Sequence, residues 1–306
     1  MMGETEPSLR TETRNRVRHV VLCRPDRYNT ITPEFRDELA HAIDEADADP
    51  DVRVILLRAE GPAFCAGYGL DWSTAAQATA ERPSGDPGAT DPSDDDTQPR
   101  IRRRRVWDSV ADMRMIGSFV DVYMKLWYAR KPTIAAVNGW CVGGGTDMVL
   151  CCDLVVAAEG ATFGYPPARV WGTPTTAMWV YRMGVERAKR YLFTGDEIRG
   201  PEAARVGIAV ECVPDADLEA HATALAERMA MLPTTQLVML KLLCNQTVEN
   251  MGLASSRTLG TLFDGIARHT QEGLDFVERA GQVGFREAVR ERDGPFQDYG
   301  SRPKKA

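Results

Sequence analysis

The chain has 306 residues, of which 43% are hydrophobic and 26% charged, a balance typical of a globular protein with a sizeable core. Its 44 acidic side chains against 37 Lys and Arg give a net charge of -7, which argues against a nucleic-acid-binding protein. No apolar run approaches the roughly 18 residues that cross a bilayer, and the seven cysteines show no metal-binding spacing. We therefore expect a cytoplasmic protein with reduced thiols, no metal site, no membrane segment and no signal peptide.

The first part of the chain is predicted to alternate strands and helices. Residues 1–16 are polar and are expected to form a disordered arm. Aliphatic residues then predict strands over Val17–Cys23 and Val52–Arg58. Between them, Thr32 and Pro33 mark the start of a helix, with a hydroxyl cap followed by proline in the first turn. A strand, a helix and a strand in this order indicate a βαβ unit and a parallel sheet.

A polar insertion interrupts this pattern. Residues 78–99 contain no Val, Ile, Leu, Met or aromatic side chain. Because burial cannot offset the ordering entropy of such a stretch, we expect residues 78–105 to be mobile. The insertion ends in a basic run, Arg100 and Arg102–Arg105. Two interpretations stay open: a solvated surface loop, or a lid whose arginines contact an anionic ligand.

Beyond the insertion, an amphipathic helix is predicted over Val106–Tyr128 and short buried strands over Thr133–Val137 and Leu154–Ala158. Helical patterns dominate toward the carboxyl terminus. The sequence thus predicts an α/β core over residues 17–235, followed by a helical region over residues 236–306.

Two glycine-containing turns follow predicted strands. The first lies in Phe64–Leu70, and the second is Gly143–Gly145, which leads into a helix. Such turns present backbone N–H groups that no Cβ shields, and two converging N–H groups form an oxyanion hole for a negative charge on a carbonyl oxygen. A purely structural turn is the alternative. The second turn is not the GxGxxG fingerprint of a dinucleotide site, because Met148 takes the place of the third glycine.

Several motifs, in their order and spacing, resemble the crotonase (enoyl-CoA hydratase/isomerase) superfamily. The segments that carry the resemblance are Phe64–Gly67, Lys131–Gly139, Gly143–Gly145, Cys152–Leu154, Ala161–Gly164 and Phe193–Gly195. The resemblance implies a crotonase-type ββα spiral core and a C-terminal helical trimerisation region, with trimers that often pair into hexamers. It also implies an acyl-CoA substrate, with coenzyme A as part of the substrate and no separate cofactor.

The resemblance assigns roles to residues of both turns and of one loop. The backbone N–H groups of Ala66 and Gly144 would hold the thioester oxygen. Arg27 would contact the phosphates of CoA, and a solvated surface arginine is the alternative. The remaining residues implied to bind the substrate through their backbones are Gly67, Tyr68, Gly69 and Gly143.

The sequence departs from the family at its acid and base residues. Asp147 stands where hydratases of the family carry one glutamate, and Pro167 stands where they carry the second. Water addition to an enoyl thioester uses two positioned carboxylates, and proline cannot transfer a proton. Asp147 is therefore the predicted acid–base residue, with a helix-start aspartate as the alternative. Asp71 and Tyr165 are the candidates to replace the missing glutamate, with a helix cap and a pocket wall as their respective alternatives.

These assignments predict an acyl-CoA enzyme that stabilises a thioester enolate, in the first place an enoyl-CoA hydratase of fatty acid metabolism. One alternative is an isomerase, decarboxylase or thioesterase that works with a single carboxylate. The other is an acyl-CoA-binding homologue with weak catalytic activity. The glycine turns favour an enzyme, whereas Pro167 favours the alternatives.

Overall fold

The strands form two main sheets and one short pair in a computed structural model that describes residues 7–69, 81–82 and 106–299. In chain order, the strands are β1 (Leu9–Arg14), β2 (Val17–Leu22), β3 (Val54–Ala59), β4 (Ala63–Cys65), β5 (Glu81–Arg82), β6 (Val106–Trp107), β7 (Thr133–Val137), β8 (Trp140–Val142), β9 (Leu154–Ala158), β10 (Thr162–Gly164), β11 (Ile198–Arg199) and β12 (Glu211–Val213).

Helices connect these strands and then form the carboxyl-terminal part of the chain. They are α1 (Pro33–Ala48), α2 (Ser109–Tyr128), α3 (Gly144–Leu150), α4 (Met178–Met183), α5 (Val185–Leu192), α6 (Gly200–Val206), α7 (Leu218–Met229), α8 (Thr234–Asn250), α9 (Leu253–Arg268), α10 (Gln271–Val283) and α11 (Phe285–Asp293). Within the described ranges, none of these helices has the length and apolar character needed to cross a membrane.

The larger sheet has six strands in the order β1-β2-β3-β7-β9-β12. All neighbouring pairs are parallel except β1 with β2. Its central strands β3, β7 and β9 are almost entirely buried, which explains why their sequences are aliphatic rather than alternating. The predicted parallel sheet is confirmed, and its predicted strands are correct to within two residues.

The predicted disordered arm is wrong for its second half, because Leu9–Arg14 form strand β1. This strand pairs with β2 along its whole length through a two-residue turn at Asn15 and Arg16. Both turn residues have positive φ, 48° and 66°, which matches the twist of a tight hairpin. The edge strand exposes most of its side chains, so its sequence lacks the apolar signal of a strand.

Helix α2 begins three residues later than predicted. Val106–Trp107 pair with Glu81–Arg82 as strands β6 and β5, and Asp108 caps the helix by accepting a hydrogen bond from the Ala111 N–H (3.0 Å). The rest of the predicted mobile insertion, including its arginine run, lies outside the described residues.

The smaller sheet positions the site. Its order is β11-β10-β8-β4, and β4, β8 and β10 are parallel to one another. The carboxyl ends of parallel strands meet at one edge of a sheet, where ligands of α/β proteins commonly bind. The turns after β4, β8 and β10 therefore meet there, at Ala66, Gly143 and Tyr165.

The carboxyl-terminal helices return to the core. Arg268 at the end of α9 forms an ion pair with Asp112 of α2 (2.9 Å), and Asp293 at the end of α11 forms one with Arg169 (2.9 Å). The predicted helical character of this region is confirmed through Asp293. Its role in trimer formation stays a prediction.

Candidate active site

The two glycine-containing turns meet where β4 and β8 end. Gly67 has a left-handed backbone (φ +90°), and a Cβ built on it would lie 3.1 Å from the Val142 carbonyl oxygen and 3.8 Å from the Gly144 nitrogen. A Cβ on Gly145 would overlap the Cys65 carbonyl oxygen. Glycine at these positions therefore lets the two backbones come into contact.

A cavity of about 280 Å³ opens beside the two turns. Asp147, Gly69 and Arg27 are not among the described residues of its wall, and Asp71 lies outside the described residues. The predicted site residues that do line the cavity are Ala66, Gly67, Tyr68, Gly143, Gly144, Tyr165 and Pro167. The structure thus brings both turns and the Tyr165–Pro167 segment to one site.

The first turn uses two of its backbone N–H groups inside the fold. The Ala66 N–H donates to the Tyr28 carbonyl oxygen (3.1 Å), and the Gly69 N–H donates to the Ile31 carbonyl oxygen (2.8 Å). The assignment of the Ala66 amide as an oxyanion donor is therefore wrong in this structure. Gly67 and Tyr68 lie between these two residues and line the cavity.

The second turn begins helix α3. The Gly143 N–H donates to the Gly164 carbonyl oxygen (2.9 Å), which fixes the turn against β10. Gly144 is the first residue of α3, and the first N–H groups of a helix have no acceptor within the helix. A Cβ on Gly144 would lie 2.8 Å from Cε2 of Tyr68. The predicted role of Gly144 is thus compatible with its place beside Tyr68.

Asp147 lies in the first turn of α3 and is fully buried. Its Oδ2 accepts hydrogen bonds from the Thr175 N–H (2.8 Å) and hydroxyl (2.9 Å), and its Oδ1 accepts one from the Trp179 indole N–H (3.2 Å). Burial raises the pKa of Asp147 from 3.8 to about 7, against the effect of these hydrogen bonds. These contacts hold the Thr175–Trp179 segment against α3, and the acid–base role of Asp147 stays a prediction.

Tyr165 and Pro167 form part of the cavity wall. The Tyr165 hydroxyl donates to the Thr173 carbonyl oxygen (2.8 Å), and its ring packs edge-on against Trp179 with 6.4 Å between ring centres. The Pro167 carbonyl oxygen accepts a hydrogen bond from the Trp171 N–H (2.9 Å). These contacts fit the pocket-wall alternative for Tyr165.

Arg27 lies away from the cavity wall, in a short 3₁₀ turn over Pro25–Arg27. Its side chain is 67% exposed, and its Nε lies 4.0 Å from a carboxylate oxygen of Asp26. Arg27 reaches the CoA phosphates only if that part of the ligand lies outside the cavity. The contact between Arg27 and CoA stays a prediction.

The carboxyl-terminal helices bring to the cavity four charged residues that were not predicted from the sequence. These residues are Asp264, Arg268, Arg292 and Asp293. They lie more than a hundred residues beyond the second glycine turn and further still from the first, and no motif connects them to those turns. The one local signal was the spacing of Asp264 and Arg268, an i,i+4 pair of opposite charge on one helix face.

Asp264 and Arg268 belong to a buried ionic cluster with Asp112. Arg268 Nε lies 3.1 Å from Asp264 Oδ2, and its Nη2 lies 2.9 Å from Asp112 Oδ2. Burial raises the pKa of Asp264, and Asp112 raises it further, although Arg268 opposes both effects. The cavity therefore contains a carboxyl group that binds a proton more readily than an exposed aspartate does.

The parallel-strand edge, the two apposed turns and the buried carboxyl define an α/β enzyme built to stabilise negative charge on a substrate oxygen. The sequence profile of the enoyl-CoA hydratase/isomerase family matches residues 12–89 and 108–287. The chain belongs to this family and has the crotonase fold.

Individual relatives support the same conclusion. A putative enoyl-CoA hydratase of Thermus thermophilus is 30% identical over 260 residues, which cover 83% of this chain and 91% of the relative. The crystal structure of an enoyl-CoA hydratase from Mycobacterium smegmatis is 42% identical, with a TM-score of 0.85 and coverage of 98% and 97% of the two chains. An enoyl-CoA hydratase/isomerase structure from Xanthobacter autotrophicus is 26% identical, with a TM-score of 0.80 and coverage of 95% and 99%.

Proposed function

We propose that the protein is an acyl-CoA enzyme that holds the thioester oxygen between the backbone N–H groups of Tyr68 and Gly144. Its first candidate reaction is the addition of water to a 2-enoyl-CoA. The observation that carries the proposal is the contact of the two glycine turns beside the cavity. Family membership and the relatives named as enoyl-CoA hydratases support it.

The chemistry follows from where charge develops. Attack on Cβ of an enoyl thioester moves electrons onto the thioester oxygen and forms an enolate. Preorganised N–H donors stabilise that charge, and one such donor lowers the activation free energy by on the order of 3 kcal/mol. No cofactor is needed beyond the CoA of the substrate.

The test is turnover of short and medium 2-enoyl-CoA thioesters, followed by loss of the conjugated-thioester absorbance, with CoA binding measured in the same preparation. The matched variants are Gly144→Ala and Gly281→Ala. A Cβ at Gly144 would meet Tyr68 and Ile31 at 2.8 and 3.0 Å, whereas a Cβ at Gly281 meets nothing within 4 Å. We expect Gly144→Ala to lower kcat at least tenfold and Gly281→Ala to leave it unchanged.

A second candidate function rests on Pro167, which lines the cavity at the position of the family's second glutamate. An enzyme with one proton-transferring carboxyl is suited to double-bond isomerisation, decarboxylation or thioester hydrolysis. Tight acyl-CoA binding without enoyl-CoA hydration would favour these reactions, or a homologue that only binds acyl-CoA. Screening would then turn to 3-enoyl-CoA, malonyl-type and saturated thioesters.

The proposal includes a homotrimer, or a pair of trimers, held together through the carboxyl-terminal helices. Helix α8 supports this assembly, because several of its apolar side chains are exposed in the single chain: Met239, Leu240, Leu242 and Leu243. A contiguous apolar surface of this kind is typical of a protein–protein interface.

A further inference from the structure

Among the described residues, two carboxylates lie in the wall of the cavity, those of Asp264 and Asp293. They differ in the number of arginines that bind them. Asp293 accepts three hydrogen bonds from two arginines, Arg169 (2.9 Å) and Arg292 (2.8 and 2.7 Å). Asp264 has one arginine partner, Arg268, at 3.1 Å. Arginine N–H groups occupy both carboxylate oxygens of Asp293 but only Oδ2 of Asp264, which leaves Asp264 as the better candidate for proton transfer.

Asp264 lies next to the position where the family's second glutamate is missing. A Cβ built on Gly172 would lie 2.8 Å from Pro167 Cβ and 3.4 Å from Asp264 Oδ1. The ring of Pro167 and the carboxylate of Asp264 therefore border the same small space. This space is open because Gly172 has no side chain. Tyr165 borders that space as well, 3.6 Å from the same point.

We propose that Asp264 is the catalytic proton-transfer residue, a carboxyl supplied by α9 in place of the glutamate that Pro167 replaces, and that Arg268 and Asp112 position it. The inference rests on the proposed function, since it needs a thioester held at the glycine turns. It deepens that function by assigning the acid–base chemistry to a helix outside the family's motifs.

The charge balance of the cluster suits this role. Asp112 and Asp264 share one guanidinium, and Oδ1 of Asp112 is buried with no hydrogen-bond partner among the described residues. Asp147 adds a third buried carboxyl near the cluster. With more carboxylates than cations in a region of low dielectric constant, protonation of Asp264 relieves repulsion, yet Arg268 still stabilises the ionised form. Both states are therefore accessible.

In this proposal Asp264 carries both of the proton transfers that hydratases of the family divide between two glutamates. Its carboxylate accepts a proton from water as the water oxygen bonds to Cβ, and the Cα–Cβ electron pair moves to form the enolate. When the enolate collapses, Asp264 donates that proton to Cα. The product gains one hydrogen and one hydroxyl, the carboxylate is restored, and no electron acceptor is required.

The experiment compares Asp264→Asn, Asp264→Glu and the control Asp121→Asn, whose carboxylate is 73% exposed on the neighbouring helix α2. Two readouts are measured for each: hydration of 2-enoyl-CoA with kcat and KM separated, and exchange of the α-proton of butyryl-CoA in D₂O. We expect Asp264→Asn to lower kcat and exchange by 10²–10⁴-fold with little change in KM. Asp264→Glu should restore part of both, and Asp121→Asn should match the wild type.

The outcomes separate this inference from the proposed function. If the wild type catalyses hydration or α-proton exchange and Asp264→Asn has rates within threefold of the wild type, the inference is overturned and the proposed function stands. A wild type that does neither overturns the function and the inference together. If Asp264→Asn does not fold, Asp264→Ser takes its place: a kcat within threefold of the wild type would overturn the assignment, and a kcat lowered by 10²-fold or more with unchanged KM would support it.

Discussion

Two buried aspartates near the cavity have different environments, and we propose different roles for them. Asp147 has three hydrogen bonds to Thr175 and Trp179, so its carboxyl is committed to the fold. Asp264 lines the cavity with one ion pair. Burial raises the pKa of both side chains. Access to the cavity, rather than pKa, distinguishes the proposed proton-transfer residue from the anchoring residue.

The anchoring role of Asp147 predicts a pH-dependent stability difference. Its pKa is about 7 in the folded protein against 3.8 for the ordinary carboxyl. Folding therefore favours the protonated form. Relative to Asp147→Asn, the wild type should be most stable below pH 3.8 and lose stability as the pH rises toward 7, by about 1.4 kcal/mol per pH unit at most.

Denaturant unfolding of the two proteins across pH 4–8 measures this difference, and subtraction removes the titration of groups that both proteins share. Asp121→Asn, an exposed substitution, should follow the wild type at every pH. A constant difference between the wild type and Asp147→Asn would contradict the raised pKa. Asp147→Asn should also keep more of the kcat than Asp264→Asn does.

At the scale of elements, the contact of α9 with α2 brings the cluster to the cavity. The core elements that create the site were predictable, because buried parallel strands and glycine turns leave strong local patterns. The carboxyl of Asp264 in the cavity wall was not predictable, since Asp264 and Pro167 both come next to Gly172 only because α9 returns to the core. The amide of Ala66 was misassigned for a related reason: its acceptor, Tyr28, belongs to a different loop.

The absence of a side chain at Gly265 is required for this contact. A Cβ at Gly265 would overlap the Asp112 carboxylate and would lie 3.2 Å from Trp107 Cζ2. We expect Gly265→Ala to displace Asp112 from Arg268, to lower the free energy of unfolding by about 1–3 kcal/mol and to lower kcat at least tenfold. Denaturant unfolding and steady-state kinetics measure both effects.

Gly117→Ala on α2 is the matched control, because a Cβ there meets nothing within 4 Å. Alanine is favoured over glycine inside a helix by up to about 1 kcal/mol, so this variant should be as stable as the wild type or more so, with unchanged kcat. Equal behaviour of Gly265→Ala and Gly117→Ala would show that the Asp112–Arg268 contact does not position the catalytic carboxyl.

At the scale of the molecule, helix α8 directs the ammonium group of Lys241 toward the core and several apolar side chains toward the outside. Lys241 is buried, pairs with Asp153 (2.8 Å) and donates to the carbonyl oxygens of Leu126 (3.0 Å) and Lys131 (3.1 Å). Leu242 and Leu243 are 60% and 71% exposed. A helix that turns its polar contacts inward and its leucines outward is stable in water when another surface covers the leucines.

We therefore expect a single charge on this face to weaken the proposed trimer. Leu243→Glu should shift the mass measured by size-exclusion chromatography with light scattering from three or six chains toward one, because an unpaired carboxylate is costly to bury in an apolar contact. Val210→Glu, an equal change at a 53% exposed position outside α8, should keep the wild-type mass. A wild type that is monomeric, or a Leu243→Glu variant of unchanged mass, would show that this face of α8 does not hold the chains together.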